Sequence, residues 1–507
     1  MKPENTFSFP IGLALLASPL LAQVQGPSSS ATPYIVPTAQ GVEITSILTS
    51  GDTVKHFNGG TQIYRMSGIP DGLGAFDNDR DDDDDWDNDD RGNGHARCHR
   101  DEGTFTVVMN HELTNLDGVA RDHGGKGAFV SRWTIRKSDL KVVNGVDQMQ
   151  HVKLWKAATS SYYDTTGVVF SRFCSADLAK ASAYYNPMTG NGTKDRIFLN
   201  GEEVSGGRGL AHIVSGRYEG TTYEFPGIGR YAWENLLASP YMQDKTIVLG
   251  DEDATPGRVF VYVGTKKSTG TTIERAGLTG GAAYGIAVAG IPAEDRMAGI
   301  PAGTRFSLVP ATDASVTKFW RPEDGAWDTK KPNRYYFVTT DRFDQVKDGT
   351  GTQVGRSRLW RLTFDDISMP EAGGKIEMML DGTEAQNMLD NITVDENGKL
   401  ILLEDVGNDA HNGKVFSFDP NTRALVQIAK HDPARFGDIG VPPGPGFNQD
   451  EETSGVIDIS ELVENTRGYN TRKYNYFLIV DQAHFVVAAT DPSIVEKGQF
   501  LMIKAPK

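Results

Sequence analysis

The sequence predicts an all-β chain folded as a β-propeller of six blades with long inter-strand loops, on three observations. Short β-branched and aromatic runs are bounded by Gly, Pro, Asn and Asp, and long amphipathic helical patterns are scarce. Two strand pairs resemble each other, "KTIVLGDEDATPGRVFVYVG" (245–264) and "GKLILLEDVGNDAHNGKVFSFD" (398–419), with a third partial copy at "SRLWRLTFDD" (357–366). Six strand-like runs also end in carboxylates, amides or histidine: "TFTVVMNHE" (104–112), "RIFLNGEE" (196–203), "KTIVLGDED" (245–253), "YYFVTTD" (335–341), "LILLED" (400–405) and "YFLIVDQAH" (476–484). Polar groups at the ends of buried strands are costly unless they meet water, a partner or a cation. A propeller satisfies this requirement, because its inner strands converge on one channel and bring their ends together. A β-sandwich with ordinary acidic turns is the alternative.

In chain order, residues 1–22 read as a secretory signal, with Lys2 ahead of an apolar stretch from Phe7 to Leu21 and a small residue, Ala22, at the cleavage point. That stretch is too short for a convincing membrane span, and no later segment reaches ~18 apolar residues, so we expect an exported protein, extracellular or periplasmic, with no membrane span. Residues 23–40, rich in Ser, Pro, Ala and Gln, read as a flexible leader. A single propeller domain then occupies 41–507, interrupted by an acidic insertion at 77–102 that feeds the first inner strand, "TFTVVMNHE". The insertion begins "DNDRDDDDDWDNDD", ten Asp in fourteen positions, and that run alone supplies more than half of the net charge of −16. Outside it the chain is only mildly acidic, which argues against nucleic acid as a partner.

The Asp run fails as an EF-hand loop. Counted from Asp77, the sixth and twelfth positions are Asp82 and Asn88; counted from Asp87 they are Gly92 and Cys98, so neither register ends in the bidentate Glu. The strand ends make better ligand sets: Glu202 and Glu203, Asp251 to Asp253, and with them Glu234, Glu323, Asp324, Asp328, Asp390, Asp395, Glu451 and Glu452. Carboxylates brought close together repel one another, and a multivalent hard cation such as Ca²⁺ relieves that repulsion. His111 and His484 are suited to a softer metal or to a hydrogen bond with substrate, though a lone strand-end His is usually structural. Arg321, two residues before Glu323, is placed either to hold a phosphate beside a metal or to form an ordinary ion pair. A nucleophile elbow, a Walker loop and an H-E-x-x-H motif are all missing from the sequence. The two cysteines, Cys98 and Cys174, either pair or stand as separate thiols.

From about 60 to 490 the chain resembles the PhoX-type alkaline phosphatases, exported calcium- and iron-dependent six-bladed propellers that cleave phosphate monoesters. The resemblance rests on "VVMNHELTN", "RFCSADL", "RIFLNGEE", "GRYAWEN", "VLGDED" with "GRVFVYVG", "RPEDGAWD", "LDNITVDENGKL" and "EETSGVID" with "YFLIVDQAH", in that order. It implies metal ligands at Glu203, Glu234, Glu323 and Glu452, calcium contacts near Glu202 and Asp251, and Arg321 as the phosphate-binding arginine. Several Ca²⁺ ions and a small phosphate-ester substrate follow from it. Two blocks depart from the pattern. Asn200-Gly201 stand where the family reads Thr-Cys before the paired acids, its cysteine joining the iron centre, which argues against iron here. Trp233 stands where a His is common. The other functions considered are a calcium-dependent propeller lactonase or esterase, and a non-catalytic extracellular calcium-binding protein.

Overall fold

Six inner strands form a closed ring in the computed structural model, which describes residues 22–55, 63–78, 103–341, 356–407 and 409–507. They are Pro70–Asp77 in blade 1, Asp177–Leu178 in blade 2, Trp233–Ala238 in blade 3, Pro322–Trp327 in blade 4, Leu389–Val394 in blade 5 and Glu452–Asp458 in blade 6. Each packs beside the inner strands of the two neighbouring blades. Outward from each, the blade continues as an antiparallel meander; blade 3, for example, runs through Lys245–Glu252, Val259–Thr265 and Ala282–Val288. Blades 3 and 4 share Thr304–Pro310, which pairs with the outer strand of each and fuses them into one nine-stranded sheet. The six-bladed propeller expected from the sequence is the observed fold.

The three similar strands "GRVFVYVG", "SRLWRLTFDD" and "GKVFSFD" all occupy the third position of a blade, as Val259–Thr265, Arg358–Phe364 and Lys414–Asp419. The acid-tipped runs, expected to be inner strands, are instead the second strand of each blade. The reason is burial. A second strand has a neighbour on each edge and a blade on each face, so Lys245–Glu252 is buried from Thr246 onward and reads as a continuous apolar run. The inner strands line the channel, and their sequences are broken by Gly, Asp and Asn.

Residues 23–40, read as a flexible leader, take part in two strands. Ala22–Gln25 lies parallel to Glu43–Thr49, which closes blade 6 against the C-terminal strand Glu496–Pro506. Ile35–Pro37 adds to the edge of blade 5 at Ala424–His431. The N-terminal segment therefore fastens the last two blades to each other. The signal expected over 1–22 falls, apart from Ala22, outside the described residues, as do Cys98 and the acidic insertion beyond Asn78.

The core lies between blades. Phe105 and Trp133 of blade 1 meet Leu478 and Phe500 of blade 6, and Leu249 of blade 3 meets Trp360 of blade 4. Fully burying such side chains stabilises by ~1.5–3 kcal/mol each. Among the described residues, no helix is long and apolar enough to cross a membrane.

Candidate metal centre

Five of the inner strands carry a register shift near their first residues, at Pro70/Leu73, Trp233/Asn235, Pro322/Gly325, Leu389/Ile392 and Ser454/Ile457. A bulge there turns a side chain that would otherwise alternate with its neighbours toward the mouth of the channel. The sequence supplies the parts as an acid followed by Asn or Asp: Glu234-Asn235, Glu323-Asp324 and Asp390-Asn391. The first member faces the mouth, and the second holds the bulge. Asn235 Oδ1 accepts from Leu236 N at 2.7 Å, Asp324 Oδ1 from Gly325 N at 2.6 Å, and Asn391 Oδ1 from Gly455 N of the next blade at 2.8 Å.

A second repeated element joins the inner strand to the acid-tipped strand beside it. The carbonyl two residues before each mouth residue accepts from the N–H at the end of the second strand: Glu112 N to Ile69 O (2.9 Å), Glu203 N to Arg172 O (2.8 Å), Asp253 N to Ala232 O (3.0 Å), Thr340 N to Arg321 O (3.1 Å) and Asp405 N to Met388 O (3.1 Å). Ile69, Arg172, Arg321 and Met388 all hold left-handed backbone, with φ of 46°, 49°, 53° and 51°. That conformation costs a non-glycine residue on the order of 1–2 kcal/mol, and its recurrence in four blades marks it as part of the design of the mouth.

The mouth is therefore lined by one inner residue from each blade, Asp71, Cys174, Glu234, Glu323, Asp390 and Glu452, and by second-strand residues including Glu112, Glu203, Asp253 and Asp405. Three groups of donor atoms lie within 4.8 Å of one another: Asp71, Glu112 and Cys174; Cys174, Glu203 and Glu234; Glu234, Glu323 and Asp390. Cys174 and Glu234 each belong to two groups, so the three form one continuous chain of candidate ligands. Cys174 Sγ sits 3.4 Å from Asp71 Oδ2, and Gln482 Nε2 ties Asp71, Glu112 and Glu452 together at 2.7, 3.0 and 3.4 Å.

The electrostatics favour a cation. Burial first, then neighbouring acids, pushes Asp71, Glu234 and Asp390 well above the usual carboxylate range. Glu203 and Glu323 are also raised, by burial against the opposing pull of Arg172 and Arg321. Asp405 rises to about 7 through burial and Glu452. Burial also pushes the Cys174 thiol up, assisted by Asp71 and Glu234. Glu452 moves the other way: burial raises it, but His484 and the Ser454 hydroxyl bring it below its ordinary value. So many buried acids sharing one wall fit hard, oxygen-preferring cations, and the thiol adds a soft donor suited to a transition metal.

Of the residues singled out from sequence, Glu203, Glu234, Glu323, Glu452 and Arg321 come together at the mouth. Arg321 bonds Asp253 Oδ1 and Oδ2 at 3.0 and 2.8 Å and lies 3.1 Å from Glu323. Glu202, Asp251 and Glu452 belong to none of the three groups, although Glu452 reaches the mouth through Gln482. Glu202 pairs with Arg208 at 2.7 Å, and Asp251 is buried against the Tyr335 hydroxyl at 2.6 Å. His111 is a structural residue, stacked on Phe129 and bonded to Gly68 O and Ser131 Oγ, whereas His484 lies between Glu496 and Glu452 at 2.9 and 3.6 Å. The sequence reading flagged Glu112 only as the end of the run "TFTVVMNHE", and it missed Asp71, Cys174 and Arg172. Arg172 bonds Glu203 Oε2 at 2.5 Å and Glu112 Oε1 at 2.7 Å.

Cys174 also answers the Asn200-Gly201 departure. The thiol of this mouth comes from "RFCSADL" in blade 2, so glycine at 201 does not leave it without sulfur. A Cβ built on Gly201 would stand 2.3 Å from Trp233 Cβ, so the backbones lie too close there for a side chain at 201 without a shift, whichever side chain stands at 233. Asn200 has its own task. Thr222 Oγ1, the His212 ring, Asn200 and Asn110 form a buried string with links of 2.8 Å each, ending where Asn110 Nδ2 donates to Cys174 O at 2.6 Å. Since Asn200 donates to Asn110, its oxygen accepts from His212 Nε2–H, which leaves Nδ1 to accept from Thr222 and keeps the ring neutral.

No family model matches the chain, and no curated protein matches it. Among solved structures it is similar to Pseudomonas fluorescens PhoX in complex with vanadate, a transition state analogue. That match has 12% identity and a TM-score of 0.56, covering 96% of this chain and 98% of that one. A luciferin-regenerating enzyme aligns over 80% of this chain and 88% of its own, at 11% identity and a TM-score of 0.30. At such identity the PhoX match speaks to the fold alone: the protein is a six-bladed propeller of the PhoX shape.

Proposed function

We propose that the protein is a metal-dependent phosphoesterase acting on small phosphate esters. The observation that carries this reading is the unbroken chain of buried acids and one thiol, from Asp71 to Asp390, with Arg321 at its edge. Asp71, Glu112, Cys174, Glu203, Glu234, Glu323 and Asp390 would hold the cations, several Ca²⁺ among them, and Cys174 restores a place for iron. Bound there, the metals supply charge neutralisation at the phosphoryl oxygens and an activated oxygen for attack. The chain's own residues do the rest. Asp253 and Glu323 hold Arg321 in one orientation, from which its planar guanidinium meets the equatorial oxygens as charge builds on them. Gln482, a neutral donor, steadies three acids without competing for the metal. The likeness to a propeller that binds vanadate, a transition state analogue, supports the reading. Export through residues 1–22 belongs to the same proposal.

Elemental analysis and p-nitrophenyl phosphate hydrolysis by the purified protein test it. We expect activity that chelation abolishes, with kcat/KM at least ~100-fold lower in Arg321→Ala. Undiminished activity in Arg321→Ala would remove that residue from the mechanism. A metal-loaded protein inert toward phosphate esters but active on lactones would overturn the phosphoesterase reading.

A further inference from the structure

We propose that Arg172 is a second anion-binding residue, working with Arg321 to hold the phosphoryl group between two guanidinium forks. This rests on the reading of the mouth as a site for phosphate esters. Arg172 and Arg321 occupy the same place in the repeat, each two residues before a mouth residue, Cys174 in blade 2 and Glu323 in blade 4. Both have left-handed backbone, at φ 49° and 53°, and both are stapled on each side. Arg172 N donates to Leu113 O at 2.8 Å and its carbonyl accepts from Glu203; Arg321 N donates to Ala254 O at 3.3 Å and its carbonyl accepts from Thr340. In blades 1, 3 and 5 the equivalent positions carry Ile69, Ala232 and Met388, so the backbone device alone does not call for an arginine.

The side chains repeat the equivalence. Each guanidinium folds onto one acid from its own blade and one from the blade before: Arg172 onto Glu203 and Glu112, Arg321 onto Glu323 and Asp253. The bonds of Arg172 to Glu203 use Nε and Nη2, and its side chain is 43% exposed at the mouth, against 17% for Arg321. Blade 3 lies between them, and its mouth residue Glu234 belongs to donor groups on both sides. Two cationic forks flanking one ligand wall match a tetrahedral oxyanion with several unshared oxygens better than a neutral or singly coordinated ester carbonyl.

Isothermal titration of inorganic phosphate into the protein as purified, with metal content measured on the same samples, tests the pairing. We expect Arg172→Met to weaken phosphate binding roughly tenfold or more while keeping the wild-type metals, and Arg172→Lys to recover part of the loss. In kinetics, KM for p-nitrophenyl phosphate should rise with the phosphate dissociation constant. Phosphate affinity within twofold of wild type in Arg172→Met would overturn the inference, even if the wild type proves to be a phosphoesterase. Metal loss in proportion to affinity loss would overturn it too, since Arg172 would then only support its acids. Should Arg172→Met fail to fold, Arg172→Lys decides: affinity about threefold lower with wild-type metals and melting temperature supports the pairing, and unchanged affinity ends it. If the protein binds phosphate through both arginines yet cleaves no ester, the phosphoesterase reading fails and the anion site stands.

Discussion

The two ends of the central channel are made by the same strands and have opposite characters. At the mouth, each blade presents an acid or a thiol in the order Asp71, Cys174, Glu234, Glu323, Asp390, Glu452. At the other end the same strands present Leu178, Leu237, Trp327, Val394 and Ile457, which line an open cavity of about 720 Å³. Between them lies a layer of Asp177, Asn235, Asp324 and Asn391. The difference arises from the bulges. Beyond each bulge the strand alternates regularly and its inward residues are apolar; before it, the bulged residue is freed from the pleat and points along the channel. In five of the six blades one extra residue per strand thus separates chemistry from packing.

The contrast is broken most severely by removing a shared mouth residue. Glu234 serves two donor groups, so Glu234→Gln should strip metal from both and lower phosphate-ester hydrolysis by at least ~100-fold, read by elemental analysis and initial rates. Retention of the full metal complement would show that the two groups are independent of Glu234. At the other end, Leu237→Ala should cost ~2–5 kcal/mol of stability and leave metal content and kcat within about twofold, by urea unfolding and kinetics. Coupled loss of metal there would mean that the two ends are not separable.

A smaller effect concerns the string behind Cys174. Burial lowers the pKa of His212 from 6.5 to about 3. The unfolded chain takes up this proton below 6.5 and the folded one does not until about 3, so this contribution is complete above pH 6.5 and falls away as pH drops toward 3. Wild type should lose about 1.4 kcal/mol per pH unit more than His212→Gln across that window, in urea midpoints. The smallest effect belongs to the Asp run. Asp77 ends the blade 1 inner strand that Asp71 begins near the mouth, so the insertion is rooted roughly 20 Å from the ligands. Asn78 N bonds Thr104 O at 3.2 Å, so a short glycine linker can replace residues 79–102. Metal content and hydrolysis should stay near wild type in that deletion; loss of the metals would move the site to the run.

Much of the mouth was legible in sequence because its acids follow strong apolar runs. Glu203, Asp253 and Asp405 each end a second strand, and second strands are buried on all sides. The inner strands gave less away. Cys174 lies before a strand of only two residues, and Asp71 sits in "IPDGLGAFD", where Gly and Pro read as a turn. Glu202 and Asp251 were indistinguishable by sequence from the neighbours that do face the mouth, since along a strand one position separates one face from the other. The ties made by Arg172 and Gln482 depend on contacts between blades far apart in the chain.

The close approach of Gly201 to residue 233 has a consequence for redesign. A Cβ at 201 would stand 2.3 Å from Trp233 Cβ, an atom that every residue except glycine carries. Exchanging the indole for a smaller side chain therefore makes no room for a thiol at 201, and it would also remove the edge-on contact with Phe260 at 5.5 Å. The spacing of the two backbones, rather than the size of any side chain, reserves position 201 for glycine.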